Sequence, residues 1–126
     1  MAYDHLHAQA KAILIVEDDE STGDVLTTAI AQETPYTSRL VTSGSAALAE
    51  APMYRPDLFI LDLRLPDMTG IELYDQLRAL PGFLNVPVLL MTASKYVADL
   101  DTRDIVVLEK PFDLDEFVQT LKNLLG

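Results

Sequence analysis

LFILDLRLPDMTGIEL, residues 58–73, passes from an unbroken apolar run into an aspartate, then through a proline-containing loop, and reaches a glycine that opens a new apolar pattern. Asp57 to Leu61 has the length and near-continuous apolar character of a strand buried on both faces, and 70–80 has the spacing of a helix. Asp62 therefore stands directly after a strand and before a strand-to-helix connection. In an open parallel sheet that is where ligands bind, at the carboxyl end of the strands.

Working outward, the same alternation recurs. Ala12 to Val16 (AILIV), Thr37 to Thr42 (TSRLVT), Val86 to Met91 (VPVLLM) and Ile105 to Leu108 (IVVL) are further strand candidates, and four of the five are almost continuously apolar. Between them the pattern predicts helices at about 20–33, 45–51, 70–80, a short one near 95–101, and 113–125. The last is the clearest: Leu114, Phe117, Val118, Leu121, Leu124 and Leu125 repeat with a helical period, and Asp113 is placed to cap them. Thr34-Pro35, Gly70 and Pro81-Gly82 punctuate the other helices. Strand alternating with helix is the α/β signature. Only residues 1–10 read as a flexible N-terminal tail, with 11–126 as one domain. His5 and His7 in that tail lack the further donors a metal site would need.

The residues following each strand form a set: Glu17, Asp18 and Asp19 after the first, Asp62 after the third, Thr92, Ala93 and Ser94 after the fourth, Lys110 and Pro111 after the fifth. Gathering carboxylates is unfavourable unless a cation compensates. Mg²⁺ suits such a group, because it takes a few carboxylate oxygens, keeps waters and accepts phosphate oxygens as its remaining ligands. A lysine ammonium can balance a phosphoryl group, a threonine hydroxyl can donate to it, and an aspartate can act as nucleophile to form an acyl phosphate. Read singly, Asp62 is a strand-end aspartate capping a turn, Glu17 to Asp19 cap a helix, Thr92 and Ser94 are turn hydroxyls and Lys110 is a surface lysine. The constellation favours a site. Asp67, Asp99, Asp101 and Asp104 read as solvated or turn residues, and Met68 and Met91 as packing.

Composition limits the rest. A chain of 126 residues, 49% apolar and 23% charged, makes one folded domain. It has no cysteine, which removes disulfides and thiolate chemistry, and its net charge of −11 disfavours binding to a phosphate backbone. No apolar run reaches the roughly 18 residues of a membrane span, and the start, MAYDHLHAQAK, lacks the apolar stretch of a signal peptide. A cytoplasmic protein with no nucleic-acid or membrane partner is expected.

ILIVEDD, LFILDLRLPDMTGIEL, LLMTAS and EKPF, in that order, resemble the receiver domains of two-component response regulators, with 44 residues from Asp18 to Asp62 and 30 from Asp62 to Thr92. The resemblance covers nearly the whole chain from about Lys11. It implies a three-layer, doubly wound (βα)5 sandwich of flavodoxin-like type, with a five-stranded parallel sheet of order 2-1-3-4-5. It also implies that Asp62 is the phosphoacceptor and that Glu17 and Asp18 are the acidic pair that holds Mg²⁺ with Asp62, Asp18 being the direct metal ligand of the pair. Arg64 matches the residue that ligates through its backbone carbonyl, Thr92 and Lys110 match the switch hydroxyl and phosphate-pairing amine, and Ala93 N–H contacts the phosphoryl group. Lys110-Pro111 is commonly a cis bond in the family, while Arg64 and Ser94 flank the acceptor and tune the phosphoryl lifetime. A histidine kinase or histidine phosphotransfer domain is the implied donor, and a homodimer through the fourth helix, fifth strand and last helix a further implied contact.

Two departures stand out. Only 18 residues separate Thr92 from Lys110, about one helical turn less than is usual, so the fourth helix is expected to be shortened. Val107 occupies the place of the family's switching aromatic, and its stiff β-branched side chain has little reach; Tyr96 offers a substitute aromatic. The leading expectation is a phosphorylation-dependent switch rather than a conventional enzyme, acting through a downstream protein partner that the sequence does not name. An interaction-only receiver with a muted response is the alternative. A Mg²⁺-dependent phosphohydrolase or nuclease is less well matched, since such sites often use a DxD pair and Asp62 is followed at the second position by Arg64. Because the sequence stops just after its last helix, a stand-alone regulator or a fragment of a hybrid kinase or longer regulator are both expected possibilities, neither carrying an output domain here.

Overall fold

Helix α1 (Glu20–Glu33) begins where Asp19 accepts a hydrogen bond from the Thr22 N–H and ends at Thr34, whose N–H closes on the Ile30 carbonyl. The computed structural model describes residues 10–94 and 103–126. The short helix expected near 95–101, with Tyr96, Asp99 and Asp101, and nearly all of the N-terminal tail, with His5 and His7, lie outside the described residues.

The remaining elements are β1 (Ala12–Val16), β2 (Thr37–Val41), α2 (Gly44–Tyr54), β3 (Leu58–Asp62), α3 (Gly70–Arg78), β4 (Val88–Thr92), β5 (Val106–Glu109) and α4 (Leu114–Leu125). All strand pairs are parallel, and the sheet order is β2-β1-β3-β4-β5. This is the expected doubly wound, flavodoxin-like arrangement.

Side chains alternate across a strand, and that alternation divides the core in two. Ile13, Ile15, Ile60 and Met91 face α1 and α4, packing on Leu26, Ile30, Phe117 and Leu121. Leu14, Val16, Phe59, Leu61 and Leu90 face α2 and α3, packing on Ala47, Ala51, Leu73 and Leu77. Each fully buried Leu, Ile or Phe contributes about 1.5–3 kcal/mol relative to exposure, so the central strands are anchored from both sides.

Several boundaries differ from expectation. β3, β4 and β5 each reach one residue further than predicted, taking in Asp62, Thr92 and Glu109. β3 starts late because Asp57 serves β1 with its side chain, accepting from the Ala12 N–H at 2.8 Å. β4 starts late because Pro87 has no N–H to give and contributes only its carbonyl, to Phe59 N–H at 3.1 Å. α2 runs three residues past 51, through Pro52, to a left-handed cap at Arg55. A proline near a helix end forfeits one hydrogen bond, and Arg55 N–H still closes on the Ala51 carbonyl at 2.9 Å. β5 is an edge strand, and Val106 and Val107 stay exposed, so its apolar run is not covered on both faces.

Candidate functional site

Three residues at the carboxyl edge are held by the strand beside their own. Glu17 N–H donates to the Val41 carbonyl, Leu63 N–H to Met91, and Lys110 N–H to Thr92 at 2.7 Å. Three loops are thereby fixed at one end of the sheet. The Lys110-Pro111 peptide is cis.

The acidic run after β1 divides its labour. Asp19 turns away to cap α1; hydrogen bonds from the Thr22 hydroxyl and N–H hold its carboxyl below the ordinary value. Asp18 is exposed, and Glu17 is buried at 2% exposure. One Glu17 oxygen, Oε2, accepts from the Asp19 N–H at 3.1 Å, whereas the buried Oε1 has no hydrogen-bond partner. Burial is the main force raising the Glu17 carboxyl above its ordinary value, partly opposed by the Asp19 N–H, with the Asp62 charge adding to the rise.

Lys110 answers both carboxylates. Its Nζ stands 3.1 Å from Asp62 Oδ1 and 3.5 Å from Glu17 Oε1. Burial pulls the ammonium down, but hydrogen bonding and charge from Asp62, with Glu17 added, outweigh it and hold the amine above its ordinary value. One cation thus faces two carboxylates, with Asp18 beside them. Glu17, Asp18 and Asp62 can each offer an oxygen such that the three lie within 4.8 Å of one another. Hard oxygen donors at that spacing, including one buried atom without a hydrogen-bond donor, fit a divalent cation such as Mg²⁺.

Beside this group, Asp62, Arg64, Thr92, Ala93, Ser94 and Lys110 line a cleft of about 350 Å³. Thr92 is buried, and its hydroxyl oxygen accepts from the Ser94 N–H at 3.0 Å, which shapes the loop after β4. Val107 lies away from the cleft, paired in register with Leu90 and 40% exposed.

Two residues matter that sequence reasoning did not place here. In the sequence Gly70 reads as punctuation, yet a Cβ there would lie 2.5 Å from the Asp62 carbonyl oxygen and 2.8 Å from Leu90 Cδ1. Asp67, expected as a solvated or turn residue, is exposed, but its two oxygens accept from the Gly44 and Ser45 N–H groups at 2.9 Å each. Those bonds hold its carboxyl below the ordinary value. A glycine opening a helix beside Asp62 is the available signal for the first; nothing local signals the second.

Residues 13–122 match the response regulator receiver domain family. The chain belongs to that family. Among curated relatives, this receiver domain is 36% identical over 120 residues to the sensory transduction protein RegX3 of Mycobacterium tuberculosis, a match taking in 90% of the chain and 50% of the relative. It is 35% identical over 119 residues to the DNA-binding response regulator MtrA of Mycolicibacterium smegmatis, covering 87% of the chain and 48% of MtrA. The chain thus spans about half the length of the curated relatives it matches. Among solved structures, the receiver domain of sensor histidine kinase PA1611 from Pseudomonas aeruginosa, with a magnesium ion coordinated in its active-site cleft, superposes with a TM-score of 0.83 at 28% identity, covering 93% of this chain and 98% of that one. Membership favours the receiver reading over the phosphohydrolase or nuclease one. Among the described residues, no helix is long and apolar enough to cross a membrane.

Proposed function

We propose that residues 11–126 work as a phosphorylation-dependent switch in a phosphorelay, taking a phosphoryl group from phosphohistidine onto Asp62. The carrying observation is the Lys110 ammonium 3.1 Å from Asp62 Oδ1 and 3.5 Å from Glu17 Oε1, beside a cluster that can offer three carboxylate oxygens. The donor is a histidine kinase or histidine phosphotransfer domain, and the setting is cytoplasmic.

An Asp62 carboxylate oxygen attacks phosphorus in line with the P–N bond; a P–O bond forms, the P–N bond breaks, and the imidazole leaves. Glu17, Asp18, Asp62 and the Arg64 carbonyl would hold Mg²⁺, which supplies charge neutralisation at the phosphoryl oxygens. Lys110 exchanges its contact with the Asp62 carboxylate for one with a phosphoryl oxygen, and the Thr92 hydroxyl and Ala93 N–H donate to others. Alignment and electrostatic balance are most of what phosphoryl transfer asks of a protein.

The test is intact mass after incubation with acetyl phosphate, with and without Mg²⁺, on the wild type and on Asp62→Asn. One Mg²⁺-dependent adduct absent from the variant supports the proposal; no adduct in the wild type under any condition overturns it. Arg64 and Ser94 flank the acceptor in the cleft, so Arg64→Ala with Ser94→Ala should change the dephosphorylation rate severalfold while leaving the adduct at Asp62. An unchanged decay of the adduct, followed by mass, would count against that role.

A second reading is an interaction-only receiver with a muted response, favoured by one observation: Val107, 40% exposed, cannot swing a ring inward. Unchanged amide chemical shifts on β5 and α4 in the phosphorylated protein would favour it.

A further inference from the structure

The loop between β3 and α3 carries Arg64, and it is pinned at two places. At its base, Gly70 N–H donates to the Leu63 carbonyl at 2.7 Å, Arg64 and Thr69 form an isolated bridge, and Thr69 and Glu72 cap α3 reciprocally. At its tip, Leu65 N–H closes on the Met68 carbonyl at 3.1 Å, and Asp67 reaches across to α2. There its carboxylate takes the Gly44 and Ser45 N–H groups, and Met68 packs so closely on Gly44 that a Cβ at that position would strike its side chain. Helix α2 already has a cap of its own, because Ser43 Oγ accepts from the Ala46 N–H at 3.1 Å. Asp67 therefore adds an anchor for the loop, not merely an end for the helix. Carboxylate bonds to backbone N–H groups at a helix start are charge-assisted and favoured by the helix dipole.

We propose that Asp67 is a positioning residue for the cation: by tying the loop tip to α2, it fixes the Arg64 backbone at the rim of the cleft that also contains Asp62. The inference rests on the function proposed above, in which the Arg64 carbonyl is a ligand. Residues that orient ligands without touching the metal commonly govern its affinity by 10- to 100-fold.

The experiment compares Asp67→Ala with Ser43→Ala in the full chain, using Mg²⁺ alone as the probe. Affinity is read by calorimetric titration and stability by thermal unfolding. Both substitutions remove a bond to the start of α2 and should lower Tm. Only Asp67→Ala should weaken Mg²⁺ binding, by about tenfold, while Ser43→Ala stays within about twofold of the wild type. If Asp67→Ala does not fold, Asp67→Asn, which keeps one acceptor oxygen, carries the comparison with an intermediate loss. Equal Mg²⁺ affinity in the wild type and the Asp67 variants, or an equal loss in Ser43→Ala, overturns the inference. A wild type that does not bind Mg²⁺ overturns the metal reading itself, a distinguishable failure.

Discussion

Glu17→Gln should make the Mg²⁺-free protein more stable at neutral pH while weakening Mg²⁺ binding on the order of 100-fold, and slowing adduct formation in parallel. Glu17 is 2% exposed, its Oε1 lacks a hydrogen-bond partner, and a single lysine is shared between it and Asp62. The fold raises its carboxyl above the ordinary value, so it disfavours the ionised form. For a raised group, folding is most favoured below the unfolded pKa, and that benefit is lost as pH rises through the folded one. Above the unfolded value the buried carboxyl is therefore a net cost. Glutamine keeps the shape and an oxygen for the Asp19 N–H, while Lys110 can still pair with Asp62. Replacing the carboxyl removes that cost and should raise Tm in the absence of the metal. At pH 4 the gain should shrink. Thermal unfolding in chelator-treated buffer at both pH values, paired with Mg²⁺ titration, checks each half; a variant less stable at pH 7 would show that the Lys110 pair outweighs the burial penalty.

Gly70→Ala should disturb the acceptor from behind. The added methyl would lie 2.5 Å from the Asp62 carbonyl oxygen, which belongs to a strand held by β1 and β4, and 2.8 Å from Leu90 Cδ1 in the core. Neither neighbour yields cheaply, because one is backbone and the other is a fully buried side chain. Overpacking of this kind costs about 1–3 kcal/mol. If α3 shifts to relieve it, the Gly70–Leu63 bond at 2.7 Å transmits the shift to the residue after Asp62, and misplacement of a reacting group by an ångström is worth one to two orders of magnitude in rate. Chemical denaturation gives the first effect, and the time course of the acetyl phosphate adduct the second, expected to slow by at least about tenfold. A wild-type time course would mean that the strain is absorbed on the α3 side alone.

Glycine 70 also shows where sequence reading stopped. Local signals were legible: the bounds of α1 at 20 and 33, and Asp113 as the cap of α4, rest on side chains acting within three or four residues. The strand ends slipped by one because an apolar run does not say where ladder pairing stops, and Asp62, Thr92 and Glu109 pair despite being polar. Helix α2 runs past its expected end at 51, since neighbouring bonds absorb the donor that Pro52 lacks. Asp67 was invisible because its partners lie 23 and 22 residues away in sequence. The set Glu17, Asp18, Asp62, Thr92 and Lys110 could be assembled only because a parallel sheet carries every strand end to the same edge.

That edge is not uniformly supported. Glu17 and Asp62 leave β1 and β3, which are paired on both sides, whereas Lys110 leaves the four-residue outer strand β5, which among the described residues pairs with β4 alone and whose two leading valines face solvent. The acidic half of the constellation thus stands on strands braced from both sides, and its cationic half on a strand braced from one, with the Lys110 N–H bond to the Thr92 carbonyl at 2.7 Å tying that half to the sheet.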